Sequence, residues 1–259
     1  MKSKTLDQKN KNDQRSMLRV ASYNIRKAVG LDWQRNPARI LHVLAEIDAD
    51  IIALQEVDRR FLGKQGVFPL HTLAQHSNYT FADIADIADI PDSSQSHGWH
   101  GNAILYKKNT LNLISANKLK LPTLEPRGAI STLFGHASGV SFRMIGTHLS
   151  LLGHMRAKQV AAIKLHIQAA PHSCPSIIAG DFNEWRTYGK AYQAFDNTYN
   201  VITPGPSFHS AYPKLPLDRF VLKGLPQPKN VHIHLSALSL KASDHLPIVM
   251  DVDLDSLTL

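Results

Sequence analysis

The chain has 259 residues, a length that two-sheet and α/β folds often reach around one core. Hydrophobic residues at 43% and charged residues at 19% are ordinary globular values and argue against a disordered chain, and no apolar run approaches the roughly 18 residues of a spanning helix. The formal charge of +8 favours an anionic partner, because a basic surface concentrates polyanions at long range.

Part of that charge sits in Lys2, Lys4, Lys9, Lys11 and Arg15, so residues 1–16 read as a flexible basic tail before a single domain over 17–259. No apolar stretch with the character of a signal's hydrophobic region follows the tail, which therefore does not resemble a secretory signal. The one cysteine, Cys174, excludes an intrachain disulfide and fits a reducing, cytoplasmic compartment. Standing before the apolar run 176–179, it reads as an ordinary buried thiol. Basic runs interleaved with aromatics, which would argue directly for nucleic acid, are absent from the sequence.

Leu18 to Tyr23 is short, apolar and β-prone, and predicts a strand ending at Asn24. Asn36 and Pro37 have the character of an N-cap and first helical position. Ile40, Val43, Leu44 and Ile47 follow at helical spacing. Ile51 to Leu54 is a continuous apolar run, as expected of a strand buried on both faces. Phe81 to Gly98 is polar and predicts a long surface loop. Further strands are predicted at Ala103–Tyr106, Ala129–Phe134, Ser141–Gly146, Ser176–Ala179, Phe220–Leu222, Val231–Leu235 and Ile248–Val252, with a helix over Met155–Ala169. Tyr199 to Pro206 and Lys223 to Asn230 read as punctuation. Many short strands with few helices suggest two packed sheets with helices outside.

Several apolar strands run directly into hard polar residues. Asn24, Glu56, His148, Asp181 and Asn183 each follow such a run, and Ser243-Asp244-His245 precedes one. Taken singly, each has a bland reading: a solvated strand end for Glu56, a turn for Gly180-Asp181-Phe182-Asn183, a core imidazole for His148, and turn caps for Asn24 and Asp244. Gathered at one rim, they would make an oxygen-rich pocket with two imidazoles. That inventory suits Mg²⁺, which prefers carboxylate, amide and water oxygens. It suits zinc poorly, with neither an HExxH pair nor a cysteine cluster.

In chain order, Ser22-Tyr23-Asn24-Ile25, Gln55-Glu56-Val57, Gly101-Asn102-Ala103, Gly146-Thr147-His148-Leu149, Gly180-Asp181-Phe182-Asn183, Leu217-Asp218-Arg219 and Ser243-Asp244-His245-Leu246 resemble the motifs of the endonuclease/exonuclease/phosphatase superfamily. This is the deoxyribonuclease I-like group, and the likeness is strongest to small bacterial stand-alone members. It spans roughly residues 18–253. The fold it implies is an α/β four-layer sandwich, two mixed sheets face to face with helices outside. The activity it implies is metal-dependent phosphoester hydrolysis with Mg²⁺ or Mn²⁺.

The resemblance assigns Asn24, Glu56 and Asp244 to the metal. It gives Asp181 the attacking water, and Asn183 a phosphate oxygen or second metal. His148 and His245 would bind phosphate and share proton-transfer or hydrogen-bonding work, with Asp218 fixing one imidazole. Asn102 and Arg127 resemble positions that hold phosphate oxygens, Arg127 by a bidentate fork. Trp185 is expected in the core, and His232 and His234 as a solvated pair on one strand face. Arg26 stands where many relatives carry an acid, His or Gly. Val57-Asp58 after Glu56, and Thr147-His148-Leu149, set the chain apart from the abasic-site endonucleases. The charge tilts the expected substrate toward nucleic acid. A lipid headgroup or small phosphate ester is the alternative, and a non-catalytic phosphate-binding module the reading from outside the enzymes.

Overall fold

The structure, a computed structural model, describes residues 16–58, 66–68, 73, 78–84, 98–125, 127–171 and 173–255. The tail expected over 1–16 lies outside these apart from Ser16, and so does most of the loop expected over Phe81–Gly98, including His97.

Twelve strands form two six-stranded sheets. The first sheet contains β1 (Met17–Asn24), β2 (Ile51–Gln55), β3 (Tyr79–Phe81), β4 (Ala103–Lys107), β11 (Lys229–Ile233) and β12 (Ile248–Asp253), in the order β11-β12-β1-β2-β4-β3. The second contains β5 (Leu111–Lys120), β6 (Gly128–His136), β7 (Ser141–His148), β8 (Ser176–Asp181), β9 (Tyr199–Ile202) and β10 (Asp218–Lys223), in the order β5-β6-β7-β8-β10-β9. The sheets are mixed: β1 and β2 pair in parallel, as do β7 and β8, while the other pairings are antiparallel. Among the described residues the α-helices are α1 (Pro37–Ile47), α2 (Gly153–Gln168), and the short α3 (Lys190–Gln193) and α4 (Ser239–Ala242), with a 3-10 turn at Arg26–Ala28.

Side-chain alternation along the central strands builds the layers. Ile51 and Ala53 of β2, Ile177 and Ala179 of β8, and Phe220 of β10 point into one core between the sheets, with Phe134, Phe142 and Met144. The alternate residues Ile52 and Leu54 face outward onto Ile40, Leu44 and Ile47 of α1. Ile178 and Val221 face outward on the other side, onto Val160 and Ile163 of α2. Helix, sheet, sheet and helix give the four-layer sandwich that the motif order implied. Because both faces are covered, β2 and β8 are buried along their whole length, which is why they read as unbroken apolar runs.

The Asn36 side chain caps α1 by accepting from the Arg39 N–H at 3.0 Å, and Pro37 occupies its first turn. Helix α2 carries the buried Arg156, whose Nη2 lies 2.8 Å from Glu184 Oε2 in an ion pair almost free of solvent contact. That bridge anchors the loop after β8 to the helix layer. Gly146 of β7 faces Ala53 and Ile104 of the opposite sheet so closely that a Cβ would sit 3.4 Å and 3.3 Å from them. The sheets therefore come together near the ends of their parallel strands.

Three strands escape the sequence reading: β3, β5 and β9, all at or next to sheet edges. Strand β5 buries only Leu111 and Ala116 fully, so its apolar residues form neither an unbroken run nor a strict alternation. Cys174 is half-buried rather than enclosed.

Removing one partner of a buried ion pair strands the other charge, at a cost of about 3–5 kcal/mol. Glu184→Ala is therefore expected to destabilise the fold by that amount, read as a lowered midpoint in urea denaturation at unchanged m-value.

Candidate active site

Strands β1, β2, β7 and β8 all end at one rim, and the antiparallel β4, β10 and β12 begin there. Register fixes this: Asn24 pairs with Gln55, His148 with Asp181, Asp218 with Asp181, and Ala103 with Leu54. Strand direction alone thus gathers most of the polar residues singled out in the sequence.

At the centre is Asp181, 1% exposed. Its Oδ2 accepts from Asn24 Nδ2 at 3.1 Å, across the two sheets, and its Oδ1 accepts from the Asn183 N–H at 2.9 Å. His148 Nε2 lies 3.3 Å and His245 Nε2 3.6 Å from Oδ2. His245 is held from behind, its Nδ1 donating to Asp218 Oδ2 at 2.8 Å. Ser207 Oγ donates to the same carboxylate oxygen at 2.6 Å. The phenyl ring of Phe208 packs on the His245 imidazole, centroids 4.9 Å apart.

The two histidines are driven in opposite directions. Burial lowers the pKa of His148 to about 4, with Asp181 opposing and the positive Arg127 adding to the shift. Burial also works against charge on His245, but Asp218 and Asp181 together outweigh it and raise its pKa to about 10. At neutral pH the site thus pairs a neutral imidazole with an imidazolium on either side of a buried carboxylate. Separated titrations of this kind mark acid–base sites.

Glu56 and Asp244 lie at the mouth, about a fifth exposed. Glu56 is paired with Lys27 Nζ, and Asp244 Oδ2 lies 3.3 Å from Arg26 Nε. Asn24 Oδ1 accepts from the Arg26 N–H at 3.1 Å. Two carboxylates and an amide oxygen are the donors a hard divalent cation takes. No group of three His, Cys, Asp or Glu among the described residues is drawn together as a metal cage. As placed, both carboxylates are turned to their own cations, so the set fits such an ion by donor chemistry.

Arg26, Lys27 and Ala28 have φ of 46°, 56° and 59°, a left-handed run of non-glycine residues. It is secured by the Ile25 N–H donating to Gln55 O and the Lys27 N–H to Glu56 O, both at 3.0 Å. Arg127 donates from Nη2 to Glu125 Oε2 at 3.3 Å, and its charge reaches His148. Asn102 is fully buried, its Nδ2 donating to Gly128 O at 3.1 Å and to Trp99 O at 3.3 Å. That geometry fastens two rim loops together. Asn183 Nδ2 is likewise committed to Leu149 O at 2.9 Å.

Trp185, expected in the core, is instead 52% exposed and carries Arg186 on its ring. His232 is exposed on its strand, while His234 Nε2 meets Glu46 at 2.9 Å, away from the site. The sequence reading missed Lys27, Ser207 and Ser243, whose Oγ donates to Asn24 O at 2.7 Å. Serine and lysine in loops carry no periodic signal, so only their proximity to Asn24 and Asp244 could have marked Lys27 and Ser243.

A family model described as the Endonuclease/Exonuclease/phosphatase family matches residues 21–245. The chain is 27% identical over 220 residues to the uncharacterized protein YbhP of Escherichia coli (strain K12), covering 80% of this chain and 85% of that one. Among solved structures it is similar to D. rerio TDP2 complexed with single strand DNA product, with a TM-score of 0.69 at 17% identity over 92% of this chain and 99% of that one. It is also similar to the mannosyl-6-phosphatase Bt3783 of Bacteroides thetaiotaomicron VPI-5482, at 0.66 and 18%, over 91% and 99%. At these identities the structural likeness speaks for the fold.

Because His148 has a native pKa below its ordinary 6.5, the unfolded chain binds the extra proton first on acidification. Its contribution to stability is present above pH 6.5 and is lost as pH falls toward 4. His148→Asn is expected to flatten that acid limb, measured by chemical denaturation across this window. His245 has the opposite sign. Its contribution is complete below pH 6.5 and fades as pH rises through about 10, so Asp218→Asn should pull the imidazole titration down in NMR.

Proposed function

The chain belongs to the endonuclease/exonuclease/phosphatase family, whose members are hydrolases of phosphate esters, and from that premise we propose that it is a divalent-metal-dependent phosphodiesterase. The observation that carries this reading is the buried Asp181 flanked by one neutral and one protonated histidine, with Asp218 behind the charged one.

Asn24, Glu56 and Asp244 would hold Mg²⁺ or Mn²⁺, which polarises the phosphoryl oxygen and offsets charge in an in-line displacement. Asp181 orients the attacking water and takes its proton as the new phosphorus–oxygen bond forms; the bond to the leaving ester oxygen breaks, and that oxygen takes a proton from solvent. The orientation of Asp181 is set by the Asn24 amide and the Asn183 N–H, so Asn183 acts partly through its backbone. The His245 imidazolium, fixed by Asp218, donates to the phosphoryl oxygens as negative charge grows on them. His148, neutral, donates a second hydrogen bond without competing for the water's proton. Arg127, tethered by Glu125, supplies a further cation near His148. Asn102 sets the loops around the mouth.

On substrate, the net charge of +8 supports nucleic acid, and the lipid headgroup or small ester is the alternative reading. With a nucleic-acid substrate, cleavage of single-stranded DNA falls steeply as salt screens the phosphate contacts. Turnover of a small diester that ignores salt assigns the alternative.

The test is a panel of phosphodiesters and monoesters with Mg²⁺ and Mn²⁺, run beside Glu56→Ala. Metal-dependent hydrolysis is expected, abolished in that variant with circular dichroism unchanged. Asp181→Asn and His245→Gln are expected to lower kcat by about a hundred- to ten-thousand-fold, the range for a lost acid or base. Inactivity of the wild-type protein on every ester would favour a non-catalytic phosphate-binding module.

A further inference from the structure

Among the exposed large apolar side chains of the described residues, Ile114 stands on β5 and Leu165 on α2, but six others share one end of the fold. Trp33, Leu124, Leu151, Leu152, Trp185 and Tyr212 are 42–79% exposed, and all stand on loops that leave the rim carrying the site. Each is tied to the site by a short link. Trp33 lies under Arg26, the partner of Asp244. Leu124 precedes Glu125, whose Oε1 accepts from Ser150 Oγ at 3.3 Å in the loop after His148 that also holds Leu151 and Leu152. Trp185 follows Asn183 by two residues, and Tyr212 donates its backbone N–H to His209 O, beside the Phe208 that packs on His245. At the opposite end of the sheets, in turns 48–50, 107–111, 136–141, 169–171 and 223–229, no large apolar side chain among the described residues is exposed.

The rings of Trp33, Trp185 and Tyr212 each also carry a cation. Arg26 lies 4.6 Å from the centroid of Trp33, Arg186 5.5 Å from that of Trp185, and Lys214 4.4 Å from that of Tyr212. Rings capped by cations and interleaved with aliphatic side chains suit a membrane interface. There tryptophan and tyrosine sit at headgroup depth, leucine enters the acyl boundary, and Arg and Lys meet lipid phosphates. A nucleic acid would use the rings and cations, since bases stack on aromatic faces. It would gain little from Leu124, Leu151 and Leu152, whose only return comes from leaving water.

We propose that this rim docks on an anionic bilayer and that, given the phosphodiesterase reading, it decides for the lipid alternative over nucleic acid: the ester delivered to the site belongs to a lipid headgroup. The rim places the mouth of the site against the surface, so the substrate phosphate is reached without extracting the lipid far from its leaflet.

The full chain is incubated with sucrose-loaded vesicles of phosphatidylcholine, alone or mixed with phosphatidylglycerol, and sedimented. It is expected to pellet with the mixed vesicles, with Trp33 and Trp185 emission shifted to the blue. The double variant Leu151→Ser/Leu152→Ser should weaken partitioning by about tenfold or more per side chain while keeping its thermal midpoint. It should also keep wild-type turnover of water-soluble bis(4-nitrophenyl) phosphate. Lys214→Gln should weaken binding to the mixed vesicles alone. The proposal is overturned if the chain stays in the supernatant with both vesicles. It is equally overturned if a single-stranded oligonucleotide, or self-association seen in sedimentation velocity, shifts the tryptophan emission and vesicles do not. Vesicle binding without turnover of any phosphoester would support the docking surface and refute the hydrolase.

Discussion

A carboxylate as buried as Asp181 is tolerable only where donors surround it, because an unpaired charge taken from water costs several kcal/mol. The donors come from both sheets: Asn24 ends a strand of the first, while the Asn183 N–H and His148 belong to the second. The requirement to satisfy this one anion therefore fixes how the sheets meet at the rim. Small residues allow it, since Gly146 opposite Ala53 lets the layers approach where a larger side chain would hold them apart. The same encirclement sorts the histidines. His245, between two carboxylates, keeps its proton, and His148, buried and with Arg127 adding to the shift, stays neutral. Stability and chemistry here share a single electrostatic cause.

The two sheets are topological equivalents. Each is built around a parallel pair, β1–β2 and β7–β8, extended on one side by an antiparallel pair of strands and on the other by a second antiparallel pair. In each, the last paired residues are polar, Asn24 with Gln55 and His148 with Asp181. Sites at the carboxyl ends of parallel strands are a general feature of α/β sheets. Here two such ends face each other, so one basin receives an amide and a carboxylate from one sheet, and an imidazole and a carboxylate from the other.

That arrangement explains what the sequence made legible. Strands buried on both faces leave unbroken apolar runs, so β2 and β8 stood out, and a hard polar residue at the end of such a run stood out with them. The edge strands did not, because β5 is largely solvated and β3 and β9 are short. Glu56 and Asp244 stood out in the sequence as acids at strand ends, whereas their pairing with Lys27 and Arg26 depends on a backbone reversal that no periodicity announces. Trp185 misled for a different reason. Its bulk suggests core, but the turn through Asn183, with φ of 51°, sends the chain outward before the tryptophan is reached.

The left-handed run Arg26-Lys27-Ala28 is the costliest local feature of the rim, since non-glycine residues in that region carry about 1–3 kcal/mol each. Such strain persists where the surroundings over-determine it, and here the backbone is latched to Gln55 and Glu56 while both side chains reach acids. An ordinary right-handed turn would carry the two cations away from Glu56 and Asp244. The two ion pairs offset part of the strain, so the reversal and its acidic partners support one another. Both pairs keep about a fifth of their surface in water. They are therefore screened by water more than the buried Arg156–Glu184 bridge, and each contributes less to stability than its short distance suggests.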